Sequence, residues 1–455
     1  MAINHYFTKT ERNSMERKKY VKYRFIKKEN KTKIANNNEE KLPDSLKELL
    51  QQIEKFQSRL RVENKVRLTD SMLINKEELK LVEVFFQKFK EIKKETDQEI
   101  FKLQMTLGSL LVISGDQEAD NLLLEIQEKS GNLQEQGLAA YNRFVNFVSK
   151  GMYDNAFTAY QEALKIDSKE YQLFDIEEYA PKGILGAGGF GIVFLCEKEG
   201  EGEVVLKSLT DPKAEINDKI LKEEVKALQK AACEYVIGLK DYGYKDKEKL
   251  KNPYIVTEYF PGKDLSVYLK HHKNFSIKRG IEIAKKIAIG MKQAHDKGII
   301  HRDLKPANIL YKENGDSFEL KIIDFGLAIK EKGIDELAKG LKSLGNRSII
   351  ESAIAGTIKY APPEQMGDSI AGRIWEIDKY SDIYSFGKTL KYMIFGKLTL
   401  HPRTLRKFSN LDFLDLIGDC ESEIPINRPQ NFEVILKRLD KIYKSLNNSS
   451  KQFSA

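Results

Sequence analysis

Apolar positions divide the chain into two textures. From Pro43 to about Asp167 they recur at helical spacing. Leu46, Leu49, Leu50, Ile53, Phe56 and Leu60 share one 3.6-residue stripe, and Pro43 with Asp44 or Ser45 supplies a start. Asn75 and Glu78 have capping-box spacing ahead of Leu79, Val82, Phe86 and Phe89. Ile100, Leu103, Leu107, Leu110 and Leu111 predict a further helix, stopped at Ser114-Gly115-Asp116. Leu122-Leu123-Leu124 opens another, ended near Gly131-Asn132. At about Phe174 the texture changes to short apolar runs broken by glycine. Strands are predicted on either side of Gly188, at Val204-Val205-Leu206 and at Tyr254-Ile255-Val256. A helix is predicted from about Asp218 to Ala231.

The last helical pair carries a more particular pattern. Leu138 to Phe147, then Gly151, Tyr153, Ala156, Tyr160, Ala163 and Ile166, alternates small and aromatic residues across a helix–turn–helix. It resembles one tetratricopeptide repeat, in which Ala156 and Ala163 would let two helices approach while Tyr153 and Tyr160 fill the groove between them. Gly108, Leu111 and Gly115 match an earlier copy loosely, with Gly115 and Gly151 thirty-six residues apart. Stacked arrays need about three repeats, so an ordinary helical bundle remains the alternative.

Charge separates a third segment. Residues 1–35 hold eleven Lys/Arg against three Glu, which accounts for the whole net charge of +8 and leaves the remainder near neutral. Aromatics (Tyr6, Phe7, Tyr20, Tyr23, Phe25) interleave with these cations, a composition that could suit a nucleic acid or an anionic membrane surface. A solvated, disordered leader is the expected reading, with nucleic acid not expected as a partner. The hydrophobic fraction of 41% and charged fraction of 32% describe a soluble chain. No apolar run is long enough for a membrane span, and the first residues lack the apolar core of a secretory signal. Cys196, Cys233 and Cys420 are scattered without a CxxC pair, which fits a reducing compartment; the expected location is cytoplasmic.

The chemistry concentrates in His301-Arg302-Asp303-Leu304-Lys305-Pro306-Ala307-Asn308-Ile309-Leu310, with Asp324-Phe325-Gly326 beginning sixteen residues after Asn308. An acid, a cation two residues on and an amide five residues on form a compact polar set. Apolar flanks (Ile299, Ile300, Ile309, Leu310, Ile322, Ile323) would pin it between short buried strands. Phosphoryl transfer needs this combination: one carboxylate for the attacking hydroxyl, a cation for the transferring phosphate, and an amide and a carboxylate for magnesium. The string resembles the catalytic and magnesium loops of eukaryotic-type protein kinases.

Upstream, Ile184-Leu185-Gly186-Ala187-Gly188-Gly189-Phe190-Gly191-Ile192-Val193 is a GxGxxG between strand-like runs. Dinucleotide folds share that spacing but continue as helix. Here Val193-Phe194-Leu195-Cys196 continues as strand, which favours a kinase lid whose backbone closes over phosphates. The lone lysine of Val204-Val205-Leu206-Lys207 would need a carboxylate from the following helix; Glu224 has the spacing and Glu223 is its rival. Tyr254 to Leu265 resembles the interlobe hinge.

That resemblance covers about 174–447 and implies the site residue by residue. Asp303 would orient the substrate hydroxyl and accept its proton, and Lys305 would contact the transferring phosphate. Lys207, paired with Glu224, would hold the α/β-phosphates. Asn308 and Asp324 would bind Mg2+. Leu185, Gly186, Gly188, Gly191 and Val193 would enclose ATP, with Val193 on the adenine. Backbone at Glu258 and Phe260 would bond the adenine, Thr257 would back the pocket and Asp264 could reach the ribose. His301 and Phe325 would serve as packing residues. Lys305 in place of a small residue, and Gly356-Thr357 followed by Tyr360, resemble serine/threonine kinases more than tyrosine kinases.

Two departures stand out. The usual Ala-Pro-Glu is Pro362-Pro363-Glu364 here, though Glu364 can still pair with Arg428, and Asp382 would help anchor the lower lobe. The stretch from Asp324 to Glu364 is forty-one residues, with Ile334, Leu337, Leu341 and Leu344 on a helical stripe that predicts an extra helix. Ser343, Ser348 and Ser352 are available acceptor hydroxyls within it.

The expected fold is α+β: a bilobal protein-kinase fold, with a small β-rich lobe and a large helical lobe, behind an all-α N-terminal domain. The expected layout is a basic leader at 1–42, a helical domain at 43–171, a kinase domain at 172–447 (small lobe about 172–260, large lobe about 261–447) and a tail at 448–455. The expected activity is ATP- and Mg2+-dependent phosphorylation of Ser/Thr in protein substrates, with the helical region open to a protein partner. A helical adaptor carrying a nucleotide-binding scaffold is the alternative from another class. A small-molecule kinase of related fold is a third, against which the Gly356–Glu364 segment argues.

Overall fold

The computed structural model describes residues 44–67, 70, 74–93, 100–188, 191–209, 214–272, 274–325, 356, 358–366, 373–401, 403, 405, 408 and 410–452. The expected leader, the predicted helix around Ile334–Leu344, the acceptors Ser343, Ser348 and Ser352, and Thr357 lie outside the described residues.

The N-terminal texture becomes helices: α1 (Asp44–Leu60), α2 (Lys76–Lys93), α3 (Phe101–Ser114), α4 (Ala119–Lys129), α5 (Leu133–Ser149), α6 (Tyr153–Ile166) and the short α7 (Ser168–Tyr171). All six apolar residues of the α1 stripe are buried. The capping box at α2 is present, with Glu78 N–H donating to Asn75 Oδ1 at 3.0 Å and Asn75 N–H donating to Glu78 Oε2 at 2.9 Å. Helix α3 ends as expected at Gly115, in the left-handed conformation at φ 73°. It is more central than its stripe indicated, because every residue from Leu103 to Ile113 is buried. A side chain at Gly108 would place its Cβ 2.8 Å from Leu123, so glycine sets the close approach of α3 to α4.

Strands β1 (Tyr179–Gly188), β2 (Gly191–Lys198), β3 (Gly202–Leu209), β4 (Leu239–Asp246) and β5 (Lys251–Glu258) form an antiparallel sheet in the order β1-β2-β3-β5-β4. Helix α8 (Ala214–Ala231) follows β3 and begins four residues earlier than predicted. The two faces of this sheet have different tasks. Alternation puts Phe194, Cys196, Val204 and Leu206 in the core, while Val193 stands opposite Lys207 on the other face.

The remainder is mainly helical: β6 (Lys263–Asp264), α9 (Leu265–His271), α10 (Ile277–Asp296), the hairpin β7 (Ile309–Asn314) and β8 (Ser317–Ile322), α11 (Lys379–Phe395), α12 (Leu411–Cys420) and α13 (Phe432–Gln452). Helix α10 is central. Its Ile281, Ala284, Ile287, Ala288 and Met291 are fully buried, and it packs against α11 and α13. Helix α13 runs beyond the expected domain end at 447. Strand was expected on both sides of the polar loop; only Ile309 and Leu310 and, beyond them, Ile322 are in strands, whereas Ile299 and Ile300 are not.

Residues Ser45–Ala455 form one compact unit. Within it the β-rich and helical lobes are stitched together: Ile237 N–H donates to Ile322 O at 3.0 Å, and Ile322 N–H to Tyr235 O at 2.8 Å. The architecture is the bilobal α+β arrangement expected, behind an all-helical region.

Candidate active site

The β1–β2 hairpin forms the roof. Gly186 pairs with Val193 and Gly188 with Gly191. Gly191 has φ 154°, and a Cβ there would lie 2.1 Å from the Ser208 carbonyl oxygen, so no other residue fits. Leu185 is exposed at the rim.

Beneath the roof, Lys207 gathers two carboxylates. Its Nζ lies 3.1 Å from Glu224 Oε1 and 2.9 Å from Asp324 Oδ1, reaching one partner on α8 and one in the large lobe. Glu223, the rival, is on the exposed face of α8. Burial alone would lower the lysine's pKa, but the Asp324 and Glu224 charges outweigh it and hold the ammonium protonated. Burial likewise acts to raise Asp324, and the attraction of Lys207 overrides it, so this carboxyl stays ionised. Glu224 is pushed up to about 7, chiefly by burial, which the Lys207 charge only partly offsets. Two carboxylates, the buried Glu224 and the part-exposed Asp324, therefore share one cation. The sequence offered the Lys207–Glu224 spacing but not the contact with Asp324, 117 positions away.

The polar loop is held from below by a fully buried carboxylate. Asp382 on α11 accepts N–H bonds from His301 at 2.8 Å and Arg302 at 2.7 Å, and meets His295 Nε2 at 2.7 Å. Burial acts to raise its pKa, but the His295 hydrogen bond leads the contacts that bring it below the ordinary value. The clamp matters because Arg302 sits at φ 68°, a strained conformation for a non-glycine residue. Asp324 is held similarly, at φ 61°. His301 is buried against Phe325, ring centroids 4.6 Å apart, and its Nε2 meets the Ile323 carbonyl at 3.0 Å. Gln365 adds a brace, its Nε2 donating to Arg302 O at 2.7 Å. Neither His295 nor Gln365 had a local sequence signal pointing to the loop.

Within the loop, Lys305 Nζ donates to Asp303 Oδ2 at 2.7 Å. Asn308 Nδ2 donates to Asp303 O at 2.8 Å and to Oδ2 at 3.0 Å. Ile323 N–H donates to Asn308 O at 3.0 Å, drawing the Asp324 segment alongside. Since the Asn308 amide nitrogen faces Asp303, its oxygen points the other way. An amide oxygen and an ionised carboxylate are hard donors of the kind magnesium takes alongside phosphate and water oxygens. The donor set fits that ion.

The interlobe segment holds the other named positions. Glu258 N–H donates to Gly238 O at 2.9 Å, and its carboxylate takes Gly238 N–H at 2.9 Å and Lys321 Nζ at 2.8 Å. Phe260 is buried, and its carbonyl accepts from Gly262 N–H at 2.8 Å. Asp264 has one carboxylate oxygen engaged locally. Its Oδ1 caps α9, accepting from Ser266 N–H at 2.9 Å, Val267 N–H at 3.0 Å and the Ser266 hydroxyl.

Glu364 and Arg428 meet in a two-pronged pair, at 2.6 Å and 2.9 Å, with both side chains completely buried. Changing the first position of the Ala-Pro-Glu pattern to Pro362 leaves this contact intact.

A lid of glycines, a buried Lys–Glu pair reaching a loop aspartate, and an acid–lysine–asparagine loop on a helical lobe together define a phosphoryl-transfer fold. The family model for the protein kinase domain matches residues 179–451, and the chain belongs to the protein kinase family. Serine/threonine-protein kinase A of Synechocystis sp. is 29% identical over 312 residues, 61% of this chain and 55% of that protein. A probable serine/threonine-protein kinase of Dictyostelium discoideum is 32% identical over 260 residues, 55% of this chain and 25% of that protein. The chain thus spans about half the length of the first relative and a quarter of the second. Among solved structures, the Mycobacterium tuberculosis PknI kinase domain aligns with a TM-score of 0.43 at 19% identity, covering 59% of this chain and 96% of that one.

Proposed function

We propose that the chain is a protein serine/threonine kinase, moving the γ-phosphoryl group of ATP to hydroxyls on protein substrates. The observation that carries this reading is the Lys207–Glu224–Asp324 cluster lying beside a loop that holds Asp303, Lys305 and Asn308 together. Every charged group the reaction requires is present and paired. The family resemblance of Lys305 to serine/threonine kinases supports the choice of acceptor, as do the names of the relatives.

Asp303 then receives the proton of the attacking hydroxyl, while Lys305, tied to Asp303, stays beside the transferring phosphate. Lys207 holds the α/β-phosphates in a position set by Glu224. Asn308 and Asp324 would hold magnesium, which when bound neutralises charge on the phosphates. Leu185, Gly186, Gly188, Gly191 and Val193 enclose the nucleotide. Glu258 N–H and Phe260 C=O have protein partners, so the opposite groups, Glu258 C=O and Phe260 N–H, are the pair for adenine. Asp264 can turn only its second oxygen to the ribose.

In this reading the kinase domain begins near 172 and the preceding helices form a helical domain packed against its small lobe. Helices α5 and α6 serve as one tetratricopeptide-like unit, a reading supported by the buried Ala156, Ala159 and Ala163. A protein partner on that region, and activation through acceptors such as Ser343, Ser348 or Ser352, belong to the same proposal. Among the described residues no helix is long and apolar enough to cross a membrane. The three free cysteines support action in the cytoplasm.

The test is transfer from ATP with magnesium, read by mass spectrometry on the full chain and on Asp303→Ala. Phosphoserine or phosphothreonine in the first and not in the second is the expected result. Nucleotide binding without transfer to itself or to any protein acceptor would refute the reading in favour of a scaffold.

A further inference from the structure

Helix α6 lies on the small lobe with two tyrosines facing it. Tyr153 and Tyr160 are seven residues apart, two helical turns, and so share a face roughly 10 Å apart along the axis. Tyr160 packs between Phe144 of α5, at 4.9 Å between centroids, and Phe194 of β2, at 5.4 Å. Its hydroxyl accepts the Leu173 N–H at 3.0 Å. Phe194 in turn packs on Phe174 at 5.0 Å. Alternation puts Phe194 on the face of β2 opposite Val193, so α6 covers the back of the sheet whose front holds Lys207.

The second tyrosine reaches the lid itself. The Tyr153 hydroxyl accepts the N–H of Ala187 at 3.3 Å. Ala187 lies inside the glycine-rich stretch, between Gly186 and Gly188, and β1 is the edge strand of the sheet. An edge strand with three glycines among its ten residues has few side chains to fix it near Ala187, and among the described residues no strand lies beside its outward N–H groups. Tyr153 supplies the missing partner from outside the stretch matched by the family model.

We propose that Tyr153 is a positioning residue of the nucleotide site, tethering the edge of the glycine-rich strand so that the lid is pre-set for ATP. The helical region is then a structural part of the lid. This proposal rests on the kinase reading above. Burial pushes the Tyr153 phenol up, against the smaller opposing effect of the Ala187 bond, so the hydroxyl keeps its proton. The anchor behind it is firm, since Ala156, Ala159, Tyr160 and Ala163 of α6 are buried.

The experiment compares the full chain with Tyr153→Phe, which keeps the ring and removes only the hydroxyl that accepts the Ala187 N–H. A non-hydrolysable ATP analogue with magnesium is titrated calorimetrically, ATP and protein-acceptor kinetics are measured, and amide exchange is followed over residues 183–195. One neutral hydrogen bond at the long end of the range corresponds to about a threefold weaker Kd. The ATP KM should rise by the same factor, with kcat at saturating ATP and the acceptor KM unchanged, and exchange in 183–195 should quicken. Unchanged Kd and KM, or tighter nucleotide binding, would overturn the tether's role even if exchange quickened. Failure of the unaltered chain to bind the analogue would instead overturn the underlying kinase reading, and the proposal with it.

Discussion

Arg428 offers the sharpest energetic test of the large lobe. Its guanidinium meets Glu364 at 2.6 Å and 2.9 Å and also donates to the carbonyls of Ser422 at 2.8 Å, Tyr380 at 3.0 Å and Glu423 at 3.2 Å. Neither side chain of the pair has any exposure, so solvent screening does not dilute the interaction. Among the described residues Glu364 has one further side-chain partner, the Ser381 hydroxyl at 2.9 Å. Arg428→Met would leave a buried carboxylate without its counter-charge and three carbonyls without this donor. Breaking one side of a buried pair costs about 3–5 kcal/mol, a large part of the stability of a typical domain. Glu364→Gln should destabilise less, because the amide keeps one acceptor for the guanidinium. The Glu364→Gln, Arg428→Met double variant removes both charges, so its loss should fall short of the sum of the two single losses. Denaturant unfolding of the four proteins, monitored by circular dichroism, measures this coupling. A loss under about 1 kcal/mol for Arg428→Met, or strict additivity, would refute the view of the pair as a buried, mutually dependent unit.

Two further outcomes follow from the site. Lys207→Met removes the cation that Glu224 and Asp324 share, and kcat should fall by about 10²–10³, in line with losing one preorganised electrostatic contact; activity within tenfold of the unaltered chain would refute the assignment. Asp382 has a pKa lowered below its ordinary 3.8, so its stabilisation is complete above that value and is lost as pH falls through the folded one. Asp382→Asn should therefore melt well below the unaltered chain at neutral pH, and the gap should narrow below about pH 4. A gap that stays constant across that range would show that the carboxylate charge is not what clamps the loop.

Much of the molecule was legible locally. Helical stripes such as Leu46 to Leu60, the Asn75–Glu78 cap, the stop at Gly115 and the polar set from Asp303 to Asn308 depend on neighbours a few residues away. Spacing therefore carries them. Glu224 could be proposed over Glu223 for the same reason, as a position on one face of one helix. The central burial of α3 could not be read in this way, since it depends on which helices surround it.

What tertiary structure decided is which distant groups meet. Lys207 reaching Asp324, Asp382 holding both His301 and Arg302, and Tyr153 capping the edge at Ala187 join segments with no periodic relation to one another. Asp264 shows the converse, a residue whose motif points to a ligand while local geometry gives one of its oxygens to a helix cap. The physical reason is common to all of them. A buried charge, a strained backbone or an open strand edge must find a partner, and the folded chain decides which distant residue supplies it.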